Sequence, residues 1–556
     1  MRVHYPRTPH LPWSPGASAD DVRATTMDGL AGREVVVTEK LDGENTTLYA
    51  DGLHARSLDS AHHLSRGWVK SLQGLVGASI PPGWRVCGEN MFARHSLAYN
   101  DLESWFYAFS VWDGDRCLGW DETVRFTREL GMPVPPVLWR GVFDEKALRA
   151  LRLDLTRQEG YVVRTVAGFD RSEFPGQVAK WVRRGHIQTN THWMQAPVVV
   201  NGRGPAAALW DVRAGFSVDV PAVLAAVGVP EVSSVNAGLI SQVFRSGDAR
   251  LAGVLAMLLH AKPRAWLMAR LAQRLGLPLA RRVADLVGLH PLLYRDFPDE
   301  NRRAGLTRLA MATDLGVLHA VAAAVGDPAP VEWSALHAEE AGLLVEDPWR
   351  SLRKAVAEAL PDMAVDVRDR CWAEAREAFA AGRLHTPAET QAVTWRWRDG
   401  NFPRLLVMVG PAGSGKSTFL ATQEVDDIVS MDDVREDRGE RADQRANPAV
   451  LRDGLDRLDK ALARGGTVAW DATALNRHQR STVARVAAGR DALVTHAVVV
   501  VTEEEAARRN AGRQHPVPAG VLAAQFARFV PPYPGEAHRT WYIGASGLVE
   551  DSDADE

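Results

Sequence analysis

The spacing of apolar residues changes twice along the chain and divides it into three stretches. Up to about residue 200, short runs rich in valine and aromatic residues alternate with glycine and proline, which predicts β-strands joined by turns. The next stretch, to about residue 395, is rich in alanine and leucine with apolar residues at helical spacing. Beyond it, strand-like and helix-like segments alternate, as in a domain with a parallel sheet.

These patterns predict a multidomain protein. We expect an α+β domain with a mostly antiparallel sheet at residues 1–200, an all-α domain at 201–395 and an α/β domain with a parallel sheet at 396–549. The acidic residues 550–556 are predicted to form a disordered tail. In the first domain, strands are predicted at 35–37, 46–49, 84–87, 105–112, 160–164 and 177–182, and helices at 62–75, 121–130 and 144–151.

The all-α domain carries no recognisable catalytic motif. Its helices are predicted at 249–259, 265–275, 305–325, 349–360 and 366–381. The pairs Arg281–Arg282 and Arg302–Arg303 could touch phosphates, but a solvated helix face is the favoured interpretation of each. The domain is therefore expected to be either an accessory domain that helps to bind RNA or a spacer.

Composition restricts the location and the partners. A net charge of −4 gives no global basic signature, so any nucleic acid must be held by local patches. No apolar run reaches the roughly 18 residues of a membrane span, and residues 1–6 lack the apolar core of a secretion signal. The three cysteines have no metal-ligand spacing. We therefore expect a cytoplasmic protein with no membrane partner.

Lysine is rare in this sequence, with only eight among 65 basic residues. Arginine stays protonated and cannot act as an amine nucleophile, whereas lysine can. A lysine that is kept against this bias is therefore a candidate for chemistry. Lys40, Lys180 and Lys416 lie inside the motifs described next.

Lys40 ends a predicted strand and begins the sequence Lys40-Leu-Asp-Gly43, which makes it a candidate covalent nucleophile at a glycine turn. Further pieces follow in order: His54-Ala-Arg56-Ser57, Gly88-Glu89-Asn90, Phe106-Tyr-Ala-Phe109, Glu159-Gly-Tyr-Val-Val-Arg164 and Val178-Ala-Lys180-Trp-Val-Arg183. This ordered set resembles the adenylyltransferase domain of covalent nucleotidyltransferases, and among them the ATP-dependent RNA ligases of the phage RNA ligase 2 type. The resemblance covers roughly residues 1–195.

The resemblance implies that Lys40 takes AMP from ATP as a lysyl-AMP adduct. It also implies a set of nucleotide-binding residues, namely Glu39, Arg56, Glu89, Phe109, Glu159, Lys180 and Arg183. Within this set Phe109 stacks on adenine, Glu89 bonds to the ribose, Lys180 holds the α-phosphate, and Glu159 holds a divalent metal, Mg²⁺ or Mn²⁺. Burial together with nearby cations and a metal is expected to lower the pKa of the Lys40 amine.

This sequence departs from the family pattern at two positions. Val182 stands where phage-type ligases commonly have a second lysine, with Arg183 as the possible substitute, and Ser110 stands where an aspartate is usual. The proline-rich residues 5–15 are expected either to line the nucleotide pocket or to pack along the domain surface.

A second nucleotide site is predicted near residue 410. The apolar strand Leu405–Val409 runs into a complete GxxxxGKS P-loop, Gly410–Ser417, followed by a predicted helix. Loop amides cradle phosphates, Lys416 reaches the β- and γ-phosphates, and Ser417 binds Mg²⁺. The predicted nucleotide-binding residues are Gly410, Gly413, Gly415, Lys416, Ser417 and Thr418.

The residues that follow the P-loop narrow its function. Asp432 and Arg435 end a second strand-like segment, Asp471 ends a third, and Arg513 lies in an Arg-Asn-x-x-Arg sequence. This region resembles the kinase domain of phage-type polynucleotide 5′-kinases. The resemblance implies that Asp432 is the general base, that Arg435 and Asp471 bind the substrate, and that Arg513 clamps the transferring phosphoryl group. Asp433 remains an alternative to Asp432.

Together the two resemblances imply an RNA end-repair enzyme. It would phosphorylate a 5′-hydroxyl with ATP or GTP, then join that end to a 3′-hydroxyl through lysyl-AMP and AppRNA. The expected substrate is RNA, with tRNA among the candidates, and a separate 3′-end phosphatase or phosphoesterase is expected. The alternative is a DNA strand-break kinase-ligase. A capping guanylyltransferase has no use for a 5′-kinase, and a non-enzymatic RNA-binding scaffold conflicts with the intact motifs.

Overall fold

The computed structural model describes residues 2–58, 62–185, 197–229, 237–240, 243–295, 299–345, 347–386, 389–438, 447–513 and 515–553. The chain divides into two compact units, one of residues 1–231 and 244–251 and the other of residues 232–243 and 252–556. The predicted fold class is confirmed: antiparallel sheets come first, helices follow, and a P-loop domain with a mostly parallel sheet comes last.

The first unit contains two antiparallel sheets. The first sheet consists of β1 (Glu34–Lys40), β7 (Val137–Val142), β8 (Gly160–Thr165) and β10 (Val178–Val182), in the order β10-β8-β1-β7. The second consists of β2 (Glu44–Tyr49), β3 (Gly52–Ala55), β4 (Trp84–Asn90), β5 (Phe106–Asp113), β6 (Arg116–Cys117) and β9 (Phe169–Asp170), in the order β3-β2-β4-β5-β6-β9. All their pairings are antiparallel, as the sequence predicted.

Short helices cover these sheets. They are α1 (Gly67–Val76), α2 (Trp120–Glu129), α3 (Glu145–Arg149), α4 (Phe174–Gln177), α5 (Ala207–Ala214) and α6 (Val220–Val227). In β1, Val35, Val36 and Val37 are fully buried. β-Branched residues favour such a strand because their stiff side chains pack well on a pleated surface. Burial falls at Glu39 and Lys40, so the strand brings Lys40 out of the core at its last residue.

The second unit begins with a helical region. Its helices are α7 (Ala237–Ile240), α8 (Gly247–Leu259, which begins in the first unit), α9 (Arg264–Leu275), α10 (Leu277–Leu289), α11 (Asp299–Ala312), α12 (Leu315–Val325), α13 (Pro328–Glu340), α14 (Arg350–Ala359), α15 (Val365–Ala380) and α16 (Thr390–Thr394). The prediction of one helix at 305–325 is wrong. The Asp314 carboxylate accepts the Val317 N–H at 3.1 Å and starts α12 as a separate helix.

These two helices also bear on membrane insertion. In the described part of the chain, no single helix has the length and apolar composition to cross a bilayer. The pair Arg302–Ala312 and Leu315–Val325 meets that criterion together, by length and composition only, and is bent by 99°.

The rest of the second unit is the P-loop region. Its sheet contains β11 (Arg404–Val409), β12 (Asp427–Ser430), β13 (Thr467–Asp471), β14 (Leu493–Val499), β15 (Arg539–Ile543) and β16 (Val549–Ser552), in the order β12-β13-β11-β14-β15-β16. All pairs are parallel except β15 with β16. The helices are α17 (Lys416–Leu420), α18 (Met431–Asp437), α19 (Asn447–Ala463), α20 (Arg477–Ala488), α21 (Glu503–Ala511) and α22 (Ala519–Arg528).

The prediction of a disordered tail from residue 550 is wrong for the residues that the structure describes there. Val549–Ser552 form β16, and the buried Asp553 carboxylate accepts the Thr540 N–H at 2.5 Å. Residues 554–556 lie outside the described part. An acidic run resembles a solvated tail, but here Asp551 and Asp553 bond to other elements of the fold.

The favoured interpretation that Arg281 lies on a solvated helix face is wrong. Arg281 is fully buried in α10, where its guanidinium donates to Asp285 at 2.9 Å and to Asp551 of β16 at 2.5 Å. Asp285 is itself fully buried and also accepts from Arg264. A buried cation needs such charged partners, so this network links the helical region to the edge of the sheet.

Further contacts join the helical region to the P-loop region. Arg264 donates to the Pro532 carbonyl at 2.9 Å, and Arg539 of β15 donates to Asp366 at 2.7 Å and to Asp369 at 2.9 Å. Arg376 donates to the His538 carbonyl at 3.1 Å. The helical region is therefore a structural part of the unit that contains the P-loop.

Candidate active sites

The first candidate site surrounds Lys40 at the end of β1. Lys40 pairs with Gly160 of β8, so it lies directly beside Glu159, the residue before that strand. The Glu89 carboxylate of β4 accepts the Gly43 N–H at 3.2 Å. The turn after Lys40 thus brings together residues from both sheets of the first unit.

Lys40 forms an ion pair in this site. Its Nζ donates to Glu159 Oε2 at 2.5 Å, and the lysine side chain is 24% exposed. Burial by itself lowers the pKa of Lys40, but the charges of Glu159 and Glu89 and the hydrogen bond outweigh it, and the pKa is raised. The predicted lowering of this pKa is therefore wrong, because the charges closest to Lys40 are carboxylates.

The surroundings of Glu89 also shift the pKa of its side chain. Burial, countered by Lys40 and reinforced by Glu159, raises the pKa of its carboxyl to about 7. Two carboxylates that share a buried site disfavour each other's charge. A cation placed between them would relieve this cost, so Glu159 and Glu89 fit a divalent metal with oxygen ligands. Among the described residues, no group of three or more His, Cys, Asp or Glu side chains is arranged to hold a metal by itself.

The predicted cations around this site take different positions. Lys180 lies in β10, where burial and then the charge of Lys40 lower its pKa. The exposed Arg56, just beyond β3, also acts on the pKa of Lys180, so the two are in electrostatic range. Arg183 instead donates to the Leu155 carbonyl at 2.5 Å. Its side chain thus bonds to the loop before β8.

The remaining predicted residues lie near the same strands. Glu39 accepts from Gln158 Nε2 at 2.9 Å, and burial raises the pKa of its carboxyl. Phe109 of β5 is half-buried, with Tyr5 against its ring. Asp42, which we did not assign to the site, accepts the N–H groups of Ser96 at 2.8 Å and Leu97 at 2.9 Å. Asp42 thus holds the loop that contains Ser96 and Leu97. Its position in the Lys40–Gly43 motif could have indicated this role.

The second candidate site is the P-loop between β11 and α17. Gly410, Gly413 and Gly415 have φ values of 148°, 72° and 108°, a conformation that favours glycine. Lys416 Nζ donates to the Pro411 carbonyl at 2.8 Å and so folds back onto the loop. Burial lowers its pKa to about 8, although Asp471 opposes the shift. Ser417 and Thr418 are exposed and accessible to a nucleotide.

Acidic and basic residues gather beyond the P-loop because parallel strands end at the same edge of the sheet. Asp471 ends β13 next to Ser430, the last residue of β12, and burial raises its pKa. Asp432 is 77% exposed and accepts from Arg435 at 2.8 Å. Arg513 is exposed, and its charge acts on both Lys416 and Asp471. The predicted kinase residues thus lie around one phosphate-binding loop.

Two residues that bond to the backbone of the P-loop were not predicted from the sequence. Arg509 donates to the Ser414 carbonyl at 2.9 Å and to the Ala545 carbonyl at 3.0 Å. Gln525 of α22 accepts the Ala412 N–H at 2.7 Å. Arg509 lies four residues before Arg513, which was a usable signal, whereas nothing in the local sequence marks Gln525.

Comparison with known proteins finds a family match in each of the two regions. Residues 33–182 match the RNA ligase family, and residues 405–532 match an AAA domain family. A search of the curated proteins finds no match. The two matches support a fusion of an RNA ligase domain with a kinase-like P-loop domain.

Solved structures of one RNA ligase also resemble part of the chain. The Naegleria gruberi RNA ligase with pyrophosphate is 18% identical, with a TM-score of 0.23, over 33% of this chain and 61% of that one. A lysine-to-alanine variant of it with ATP and Mn is 18% identical, with a TM-score of 0.22, over 28% of this chain and 52% of that one. The chain spans about half the length of these ligases. The interpretation as an RNA ligase domain joined to a P-loop domain therefore depends on the two family matches.

Proposed function

We propose that this protein repairs broken RNA by phosphorylating a 5′-hydroxyl end and then ligating it to a 3′-hydroxyl with ATP. The observation that carries the proposal is the pairing of a lysine nucleophile site with a P-loop in one chain. Lys40, Glu89, Glu159 and Lys180 supply the groups for nucleotidyl transfer. The P-loop unit would form the 5′-phosphate that ligation needs.

In the kinase step, the 5′-hydroxyl oxygen attacks the γ-phosphorus of a nucleoside triphosphate, ATP or GTP, and the diphosphate leaves. Asp432 accepts the hydroxyl proton, and Arg435 and Asp471 orient the RNA end. Lys416 and Arg513 neutralise charge on the transferring phosphoryl group. Asp432 is suited to this role because it is exposed and its partner Arg435 can turn to an incoming phosphate.

In the ligase step, Lys40 Nζ loses a proton and attacks the α-phosphorus of ATP. The N–P bond forms, and the bond to pyrophosphate breaks. The RNA 5′-phosphate then displaces Lys40 to give AppRNA, and the 3′-hydroxyl attacks the 5′-phosphate and releases AMP. Lys180 neutralises the α-phosphate, and Phe109 holds the adenine.

A divalent cation, Mg²⁺ or Mn²⁺, held by Glu159 and Glu89 in one site and by Ser417 in the other would neutralise phosphate charge. We further propose that the protein works in the cytoplasm on RNA, with tRNA among the candidates. A separate 3′-end phosphatase or phosphoesterase would prepare the other end.

The test labels the protein with α-³²P ATP and follows two activities in parallel. Lys40→Ala should abolish the denaturation-resistant adduct and leave 5′-kinase activity intact, whereas Lys146→Ala, an exposed lysine of the same unit, should change neither. Lys416→Ala should abolish kinase activity yet still seal RNA that already carries a 5′-phosphate. An adduct that persists in Lys40→Ala would contradict the ligase assignment. Sealing of DNA strands but not of matched RNA strands would favour the DNA alternative.

A further inference from the structure

The segment before the first strand, residues 3–16, contacts the ligase-type site at separate points, and we call it the leader segment. His4 Nδ1 lies 3.0 Å from the Arg56 carbonyl oxygen. The Tyr5 and Phe109 rings lie edge to face, with centroids 5.2 Å apart and an interplanar angle of 70°. Two of the predicted nucleotide-binding residues therefore have a neighbour from this segment.

The leader segment also extends the sheet that carries Lys180. The Lys180 N–H donates to the Pro9 carbonyl at 2.9 Å, and the Leu11 N–H donates to the Lys180 carbonyl at 2.8 Å. Gly16 approaches the end of β10 so closely that a Cβ atom there would lie 2.4 Å from the Arg183 carbonyl oxygen. The segment thus forms a parallel bridge on the edge of β10 through His10 and Lys180, and at Gly16 a side chain would clash with the backbone of β10.

Tyr5 contacts Phe109 where the sheet itself gives that residue least support. The register of β4 against β5 shifts here, because Cys87 pairs with Ser110 and Gly88 with Ala108, which leaves Phe109 in a bulge without a partner on β4. An unpaired bulge residue takes its orientation from its side-chain contacts. Tyr5 is such a contact, and its own position is fixed from two sides.

The first support for Tyr5 is the ring of Phe174, whose centroid lies 5.5 Å from that of Tyr5. The second is a buried cluster that includes Trp112 and Val178, against which both Tyr5 and Phe109 pack.

We propose that Tyr5 is a positioning residue of the adenylylation site, which sets the ring of Phe109 against the nucleobase. The backbone of the leader segment, at Pro9 and Leu11, additionally supports the strand of Lys180. This inference rests on the proposed ligase function. An edge-to-face aromatic pair is worth enough to change affinity by roughly threefold to tenfold.

The test measures KM for ATP and kcat for adduct formation on the full chain. Tyr5→Leu should raise KM roughly threefold to tenfold with kcat within about twofold, because it removes the aromatic support and leaves the reacting groups in place. Tyr5→Phe keeps the aromatic ring against Phe109 and Phe174, so it should leave KM unchanged. Trp13→Phe is the matched control, since Trp13 donates to Tyr161 at 3.2 Å instead and should leave KM unchanged.

Gly16→Ala provides a second arm that alters no side chain near the nucleotide. It should separate the leader segment from β10 and change both KM and kcat, because Lys180 loses its backbone partners. An unchanged KM in Tyr5→Leu, a fall in kcat alone, or an equal rise in Trp13→Phe would each overturn the inference. Absence of any adduct in the unmodified protein would instead reject the ligase function, so the two failures are distinguishable.

Discussion

The two candidate sites each contain a half-buried lysine, and their surroundings shift the two pKa values in opposite directions. Lys40 contacts the Glu159 carboxylate, and its pKa is raised above the ordinary value. Lys416 contacts the Pro411 carbonyl, with no carboxylate at hydrogen-bond distance among the described residues, and burial lowers its pKa to about 8. The residue type is the same, but the nearest charge differs.

The two shifts run against the proposed chemistry. If Lys40 is the nucleophile, it must lose its proton, whereas the Glu159 pair favours the protonated amine. If Lys416 binds phosphate, it must keep its proton, whereas burial favours the neutral amine. The proposed reaction therefore requires a change in the charges around each lysine.

The largest expected effect tests which carboxylate serves the P-loop site. Asp432→Asn should lower the kinase rate by about 10²- to 10⁴-fold, because the 5′-hydroxyl loses its proton acceptor. Phosphate transfer from γ-³²P ATP to 5′-hydroxyl RNA measures this, with adduct formation at Lys40 unchanged. Asp433→Asn is the matched control, since only its backbone N–H takes part in the cap at Ser430. A larger loss in Asp433→Asn would reverse the assignment.

The second prediction concerns the Lys40–Glu159 ion pair of the ligase-type site. Glu159→Ala should lower the rate of adduct formation by about 10²-fold or more, because Lys40 loses its orienting partner and a metal is left with Glu89 alone. Single-turnover labelling measures this, and kinase activity should stay within about twofold. Glu145→Ala removes an exposed acid that pairs with Arg149 on the surface, and should have no effect. Adduct formation at the normal rate in Glu159→Ala would show that the ion pair is only structural.

A third prediction concerns the stability of the two units. Asp285→Ala leaves Arg264 and Arg281 buried without their shared carboxylate, and should lower the free energy of unfolding of the P-loop unit by about 3–5 kcal/mol. Denaturant titration followed by each activity should show kinase activity lost first. Arg308→Ala breaks a half-exposed pair with Glu377 and should cost under about 1 kcal/mol. Equal loss of both activities in Asp285→Ala would contradict this separation.

The smallest effect is the pH dependence of nucleotide binding at the P-loop. Below pH 8 the free site holds the Lys416 ammonium, but above it the amine is neutral and must take up a proton when the nucleotide binds. The affinity should therefore fall by up to about tenfold as pH rises from 8 to 9. Calorimetry in buffers of different ionisation enthalpy measures the proton uptake. Lys416→Arg should bind with little pH dependence over this range, because arginine stays charged.

Most of the strands and both motifs were predictable from the sequence because their signals are local. The valines of β1 and the glycines of the P-loop need only their neighbours to be interpreted. What could not be predicted depends on partners distant in sequence. Arg281 meets Asp551, which lies 270 residues away, and Gln525 meets Ala412, which lies 113 residues away.

The site residues follow the same rule. The proximity of Lys40, Glu89 and Glu159 follows from ordered motifs, but the direction of the Lys40 pKa shift depends on which charge is nearest. Arg183 has the right spacing for a phosphate contact, yet its side chain bonds to the Leu155 carbonyl. Spacing predicts where a residue lies along a strand, and packing decides what its side chain contacts.

The edge strand β16 has a consequence for how the protein is made. Its residues, Val549–Ser552, are translated after every other strand of the P-loop sheet. The ligase-type unit has all of its residues by position 251, so it can fold while synthesis continues. A ribosome that stalls before codon 549 would thus leave Arg281 without Asp551, and the nascent chain would carry a folded nucleotidyl-transfer unit ahead of an unfinished P-loop sheet.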